Sequence, residues 1–139
     1  MLNPDYIVGL VDGEGSFSVF LRKPVKATWN TRVECHFYIK MREDDLALLQ
    51  KVQKFFNCGS IFFQKEYRAN QRDNYRYQVS SRDELKNIIV PFFEKHSLES
   101  KRAEDFRIFC EILERSLRKE HALPEGLHRI EKLKARMHV

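Results

Sequence analysis

Residues 7–15 read Ile-Val-Gly-Leu-Val-Asp-Gly-Glu-Gly. Asn3-Pro4-Asp5 stands just ahead, with Asn3 suited to an N-cap and Pro4 to the first helical position. Ile7, Val8, Leu10 and Val11 then predict a short helix that ends at Gly13-Glu14-Gly15. Gly9 and Gly13 are four residues apart and so share one helical face. Each costs about 0.8–1 kcal/mol relative to alanine inside a helix. Two such costs in one short helix call for a packing reason, and a face without side chains lets another helix backbone come close.

Outward from this stretch the periodicity changes. Over 16–22, Phe17, Val19 and Leu21 alternate with Ser16, Ser18, Phe20 and Arg22, a half-buried strand. Residues 24–30 read as a connection. Over 31–41, Val33, Cys35, Phe37, Ile39 and Met41 alternate with Arg32, Glu34, His36, Tyr38 and Lys40. Helical spacing takes over at 43–56 through Leu46, Leu49, Val52, Phe55 and Phe56, with Asp44 or Asp45 as cap and Asn57-Cys58-Gly59 as stop. Two more strands are expected at 60–68 and 73–80, joined by a polar loop at 69–72. A helix is expected from Ser81 or Arg82 to Lys95, kinked or broken at Pro91. Amphipathic helices follow at 100–119 and 124–138. The order is α-β-β-α-β-β-α-α-α, an α+β fold.

Composition narrows the chemistry. The chain has 139 residues, 42% hydrophobic and 32% charged, an ordinary globular balance. No apolar run approaches the roughly 18 residues that a membrane span needs, so no membrane partner is expected. No basic and apolar leader opens the chain, so no secretory signal is expected. Cys35, Cys58 and Cys110 are odd in number and widely spaced, which implies neither a disulfide framework nor a zinc site, and His121, His128 and His138 are scattered. The formal charge of +5 is unevenly placed: residues 16–82 hold 13 Lys+Arg against 6 Asp+Glu. A basic half suits a phosphate polymer.

The 7–15 stretch, with glycines at 9, 13 and 15 and acids at 12 and 14, resembles the motif of the LAGLIDADG homing endonucleases. Residues 91–106 resemble that family's later Leu-x-x-Lys region. The resemblance covers most of the chain and implies a single domain, 1–139, with an αββαββα core, an antiparallel four-stranded DNA-binding sheet and additional C-terminal helices. It implies a site-specific, metal-dependent phosphodiester hydrolase that makes a double-strand break in a long pseudo-palindromic site. One copy of the motif implies a homodimer that packs Gly9 and Gly13 across a two-fold axis, with Asp12 structural at that interface. Glu14 would be the catalytic, metal-binding carboxylate, helped by the Gly13 carbonyl, at a Mg²⁺ site that also admits Mn²⁺ or Ca²⁺. Lys101 best fits the family's lysine, with Lys95 as the alternative. The polar residue that many members carry at the end of the second strand falls on Met41, unless Lys40 or Arg42 substitutes.

The resemblance also implies that the sheet reads the major groove of double-stranded DNA. The expected face is Ser18, Phe20 and Arg22; Arg32, Glu34, His36, Tyr38 and Lys40; Phe62, Gln64, Glu66 and Arg68; Asn74, Arg76 and Gln78. Its mixture of Arg, Gln, Asn and Glu suits base edges better than uniform Lys would. Lys23, Lys26, Arg72 and Arg82 suit phosphates. Phe20 and Phe62 are unusual on such a face and leave a one-residue register shift open. Such enzymes are intracellular and intron-encoded, often in a mitochondrion or chloroplast. An RNA-binding intron maturase and a cleavage-dead DNA-binding protein use the same fold and stay open as alternatives.

Overall fold

A computed structural model describes residues 1–26 and 30–138. The connection expected at 24–30 therefore lies partly outside the described residues. Helix α1 spans Pro4–Glu14, and the Asn3 side chain accepts a hydrogen bond from the Tyr6 N–H at 2.9 Å, as the N-cap reading requires. Strands β1 (Gly15–Arg22) and β2 (Arg32–Arg42) form the first hairpin, and β3 (Ser60–Gln64) and β4 (Asn74–Val79) the second. The four strands form one antiparallel sheet in the order β1-β2-β4-β3.

Helix α2 (Leu46–Phe56) separates the hairpins. It is preceded by a 3-10 turn over Glu43–Asp45, and Asp45 holds the N-cap position without a side-chain capping hydrogen bond. Asp44 instead pairs with Arg72 at 3.0 Å, which draws that arginine away from the phosphate role expected of it. Asn57 ends the helix in the left-handed region (φ 56°). Gly59 follows at φ +86°, where a Cβ would lie 2.8 Å from the Gln78 carbonyl, so only glycine fits. Helix α3 runs through Arg82–Glu84, a π turn over Leu85–Ile89 and Val90–Lys95, with Ser81 accepting from the Glu84 N–H. The Pro91 ring cannot fit the ordinary helical spacing. The wider π turn just before it absorbs the mismatch, and the helix continues without a break. Helices α4 (Arg102–Leu117) and α5 (Pro124–Ala135) complete the chain.

One face of the sheet carries the core. Phe17, Val19, Val33, Cys35, Phe37, Ile39, Tyr77 and Val79 are all buried there, beneath Leu49, Val52, Leu85, Ile89, Phe109 and Ile112 from the helices. Phe17 lies at the centre of an aromatic cluster, within 5.1–5.6 Å of the rings of Phe37, Phe93, Phe106 and Phe109. Burial pushes the Cys35 and Cys110 thiols up to about 12, so both behave as packing residues.

The third strand is shorter than its alternation suggested. It stops at Gln64, and Glu66 and Arg68 lie in the connection to β4, not on the sheet face. The Asp73 carboxylate accepts from the Glu66 N–H at 2.8 Å, and Arg68 grips Glu66 through two hydrogen bonds of 3.0 and 3.1 Å. These contacts close the loop and satisfy both charges locally. The register elsewhere is as read: Phe62 stands opposite Arg76 and is 49% exposed, so its place on the polar face is real.

Candidate active site and nucleic-acid interface

Two acids, Asp12 and Glu14, occupy the last turn of α1, and no basic residue accompanies them. A helix C-terminus carries partial negative charge, so acids there are unfavourable unless a cation or donor meets them. Asp12 is met within the chain. Its carboxylate accepts from the backbone N–H groups of Glu99 (3.1 Å) and Ser100 (2.9 Å), and Arg102 donates to the Asp12 carbonyl (2.8 Å) and to the Gly15 carbonyl. Residues almost ninety apart in sequence are thus tied together, and α4 starts where α1 ends.

Partial burial pushes the Asp12 carboxyl up, but the Ser100 and Glu99 hydrogen bonds and the Arg102 charge outweigh it, so the group sits below its ordinary 3.8. A carboxyl with a lowered folded-state value stabilises the fold above its unfolded value, and that contribution is lost as pH falls through the folded-state value. Asp12→Asn is therefore expected to melt earlier than the parent at pH 7. Circular dichroism melts should show the gap closing below about pH 4.

Glu14 is exposed, and its carboxylate has no hydrogen bond or ion pair among the described residues. It lines a cleft with Ser16, Tyr38, Lys101, Arg102 and His138. The Asp12 tether thus brings Lys101 beside Glu14, whereas Lys95, the alternative, ends α3 and does not line the cleft. Met41 stands opposite Tyr75 and packs against the core, so it cannot supply the second-strand polar group. Lys40, its neighbour, is exposed on the polar face. Ser16, Tyr38 and His138 were not singled out as cleft residues from sequence. Ser16 and Tyr38 could have been, because they alternate onto the same face and pair directly. His138 could not, because only the buried Asp105, which accepts from both its backbone N–H (2.9 Å) and its Nδ1 (3.0 Å), brings it there.

Gly9 and Gly13 lie on the side of α1 opposite the buried Ile7 and Val11. Both are exposed, and a Cβ at either would meet nothing within 4 Å among the described residues. None of those residues requires glycine at these two positions. Gly15 differs: a Cβ there would sit 2.6 Å from Val11 Cγ1, where helix turns directly into strand.

The face of the sheet away from the core presents cross-strand rows. Ser16 and Tyr38 continue to Gln78 and Ser60; Lys40 continues to Arg76 and Phe62; Arg42 continues to Asn74 and Gln64. Ser18 and His36, Phe20 and Glu34, and Arg22 and Arg32 complete the far end. Ser18 is only 5% exposed and bonds the Ser16 hydroxyl at 3.1 Å, so it lies beneath the surface and is not itself a surface contact. Phe20 is covered by the His36 ring (5.0 Å) and the Arg22 guanidinium (5.0 Å), which explains an aromatic residue here. Glu34 is approached by Arg22, Arg32 and His36. The Arg76 guanidinium lies 3.5 Å over the Tyr38 ring. Burial pushes the Tyr38 phenol up, but hydrogen bonds with Ser16 and Ser18 and the charges of Arg76 and Lys40 bring it net downward. Arg76 Nε and Gln64 Oε1 are buried with no hydrogen-bond partner among the described residues. Unpaired polar atoms on an open face point to a ligand that completes them.

The model of the LAGLIDADG endonuclease family matches residues 7–113, which include most of α1, the whole sheet and most of α4. The chain belongs to this family. A relative from Neurospora crassa, named probable intron-encoded endonuclease 2, is 40% identical over 132 residues, covering 93% of this chain and 28% of its own. I-SmaMI, solved bound to its uncleaved DNA target in the presence of calcium ions, superposes with a TM-score of 0.87 at 36% identity over 99% of this chain and 45% of that one. The homing endonuclease I-TnaI superposes with a TM-score of 0.85 at 37% identity over 99% of this chain and 89% of that one. The chain thus spans under a third of this curated relative and under half of I-SmaMI. The four-stranded sheet and surrounding helices are those of the LAGLIDADG homing endonucleases.

Proposed function

We propose that this chain is the DNA-cutting module of a site-specific, divalent-metal-dependent homing endonuclease that acts as a pair of such modules. The observation that carries this reading is the meeting of Glu14 and Lys101 in one cleft beside a bare, unpartnered glycine face. The Gly9–Gly13 face would pack on the same helix of a second copy, a homodimer, and bring two Glu14 residues together. Where the module forms part of a longer chain, a second module would take that place, as the 45% share of I-SmaMI allows.

The residues present fit Mg²⁺ as half of a site. Among the described residues no group of three or more His, Cys, Asp or Glu could hold a metal ion. Mg²⁺ binds through one or two carboxylates plus substrate phosphates, so a carboxylate from each module beside a scissile phosphate is a suitable donor set. Glu14 and the Gly13 carbonyl would hold it. When bound, such an ion lowers the pKa of its water and offsets charge on the phosphodiester. Lys101 would face the phosphate and stabilise the charge that develops there. Tyr38 and Ser16 would orient water or phosphate through their hydroxyls.

The polar sheet face would read the duplex. Arg76, held flat on Tyr38, is suited to guanine, and Gln64, Asn74 and Gln78 are suited to adenine. Calcium in the I-SmaMI complex and its bound DNA target support both parts of the reading. An intron-borne setting agrees with the name of the Neurospora relative, and the product would act inside the cell, in an organelle.

The test is linearisation of a supercoiled plasmid carrying a site selected from a randomised pool. Cleavage is expected with Mg²⁺ and none with EDTA. EDTA-resistant cleavage would sink the metal assignment, and no cleavage with any divalent ion would sink the enzyme assignment. Light scattering on the purified chain is expected to give about twice 16.7 kDa. A mass that stays at one chain in the presence of the selected duplex would sink the homodimer.

A further inference from the structure

At the end of β2 remote from Glu14 the sheet is stepped. Strand β4 stops at Val79, opposite Phe37, while β2 extends back to Arg32 with β1 alone beside it. The step opens a cleft lined by Arg32, Glu34, His36, Ser80, Arg82 and His121. Arg82 is anchored at its mouth, with Nη2 donating to the Val33 carbonyl at 2.8 Å. Glu34 is approached by Arg22 at 3.5 Å, Arg32 at 3.4 Å and His36 at 3.7 Å. Its single charge is outnumbered, and a cationic excess remains. His36 comes from the sheet and His121 from the short turn between α4 and α5, Glu120–Ala122. Each has a buried Nδ1 with no hydrogen-bond partner among the described residues. An idle buried polar atom is costly, so two in one cleft need a reason.

The chemistry selects the ligand. Two imidazoles, two guanidiniums and the Ser80 hydroxyl offer many donors, and Glu34, the only carboxylate among the described lining residues, is engaged. Guanidiniums beside a metal would repel it, whereas they match an oxyanion. The cleft shares Arg32 and His36 with the polar face of the sheet, so a polymer lying on that face would pass it.

We propose that this stepped cleft is a phosphate-binding site that takes one backbone phosphate of the duplex beyond the base pairs read by the sheet, through His121, Arg82 and Ser80 together with Arg32 and His36. The assignment rests on the DNA-binding reading above and extends it to the α4–α5 turn. In the free protein burial pushes both imidazoles down. For His36 the charges of Arg76 on β4 and Arg22 on β1 add to this against Glu34 on β2; for His121 the charge of Arg82 at the start of α3 does. Glu120, next to His121, is held by Arg115 and Arg118. Both rings are therefore neutral at pH 8, and a phosphate between them favours their protonation. Binding takes up protons, and affinity rises as pH falls.

The experiment is fluorescence anisotropy of the full chain on a mixed-sequence duplex, at pH 8 and pH 6 over a range of NaCl. Wild type is expected to bind several-fold tighter at pH 6, with a plot of log K against log[salt] steeper by about 0.9 for each phosphate newly neutralised. His121→Ala is expected to change less than wild type between the two pH values in both affinity and slope, because only His36 is left to titrate, and His121→Lys to keep the steep slope at both. In a second arm, inorganic phosphate is expected to shift the His121 and His36 ring resonances, and the duplex to shift them in the same direction and to compete with inorganic phosphate for the site. If His121→Ala matches wild type in its pH and salt response, the assignment is overturned while the DNA reading stands. The same holds if phosphate shifts the rings and duplex does not compete, which would make this a free-phosphate site. A wild type that binds no duplex at either pH overturns both.

Discussion

Glu14→Gln is expected to abolish strand cleavage while the folded chain stays intact and is, if anything, slightly harder to melt. Glutamine keeps the shape of the side chain and one acceptor oxygen but removes the charge that would hold the cation. The loss should be at least about 10³-fold in single-turnover rate, at the upper end of what removing one transition-state stabilising group costs. Stability should move the other way. Glu14 closes the last turn of α1, where helix polarity disfavours an acid, and its carboxylate makes no compensating contact among the described residues. A residue that breaks a local rule without a structural return is held there by function, and removing it trades activity for stability. Duplex affinity measured in Ca²⁺ should change far less than the rate, because the sheet face is untouched. Cleavage within tenfold of the parent would remove Glu14 from the chemistry, and a fall in melting temperature would show that its role is structural.

Gly9→Leu is expected to separate the pair without unfolding either member. A Cβ at residue 9 meets nothing within 4 Å among the described residues of the single chain, so the side chain has room until a second helix arrives. Overpacking a close contact costs about 1–3 kcal/mol, and a two-fold interface incurs it twice. The expected loss in pairing is therefore about 30-fold to 10⁴-fold. Light scattering should fall to one chain of 16.7 kDa, and plasmid cleavage should disappear with it. Gly9→Ala sharpens the contrast: alanine raises helix propensity by about 0.8–1 kcal/mol, so the isolated chain should melt higher even as pairing weakens. If Gly9→Leu lowered the melting temperature of a chain that was never paired, the bare face would have a purpose inside the fold.

Much of this molecule is legible without coordinates because its elements obey local periods. Alternation in β1 and β2 assigned Phe17, Val33, Phe37 and Ile39 to the core and Arg22, Arg32, His36 and Tyr38 to the open face, and burial follows that division. The N-cap at Asn3 and the stop at Asn57 depend on side chains within four residues and were equally readable. Alternation misled at β3, where Glu66 and Arg68 continue the pattern but are taken out of the strand by the Asp73 carboxylate and by each other. Met41 is the opposite case: strand parity places it on the core side, and there it packs, although the family's motif has a polar residue at this point.

The sequence alone determined the order of elements, the two faces of the sheet, the glycine ridge of α1 and the acid at its end, because each follows from contacts within a turn or two of the chain. Only the tertiary structure decided which lysine joins that acid, because Lys101 reaches the cleft through the hydrogen bonds of Asp12 with Glu99 and Ser100, and no local pattern encodes contacts between segments so far apart. The same holds for Arg76, whose guanidinium is held flat by a tyrosine on the neighbouring strand, and for His121, which shares a cleft with His36 where one strand stops short of another.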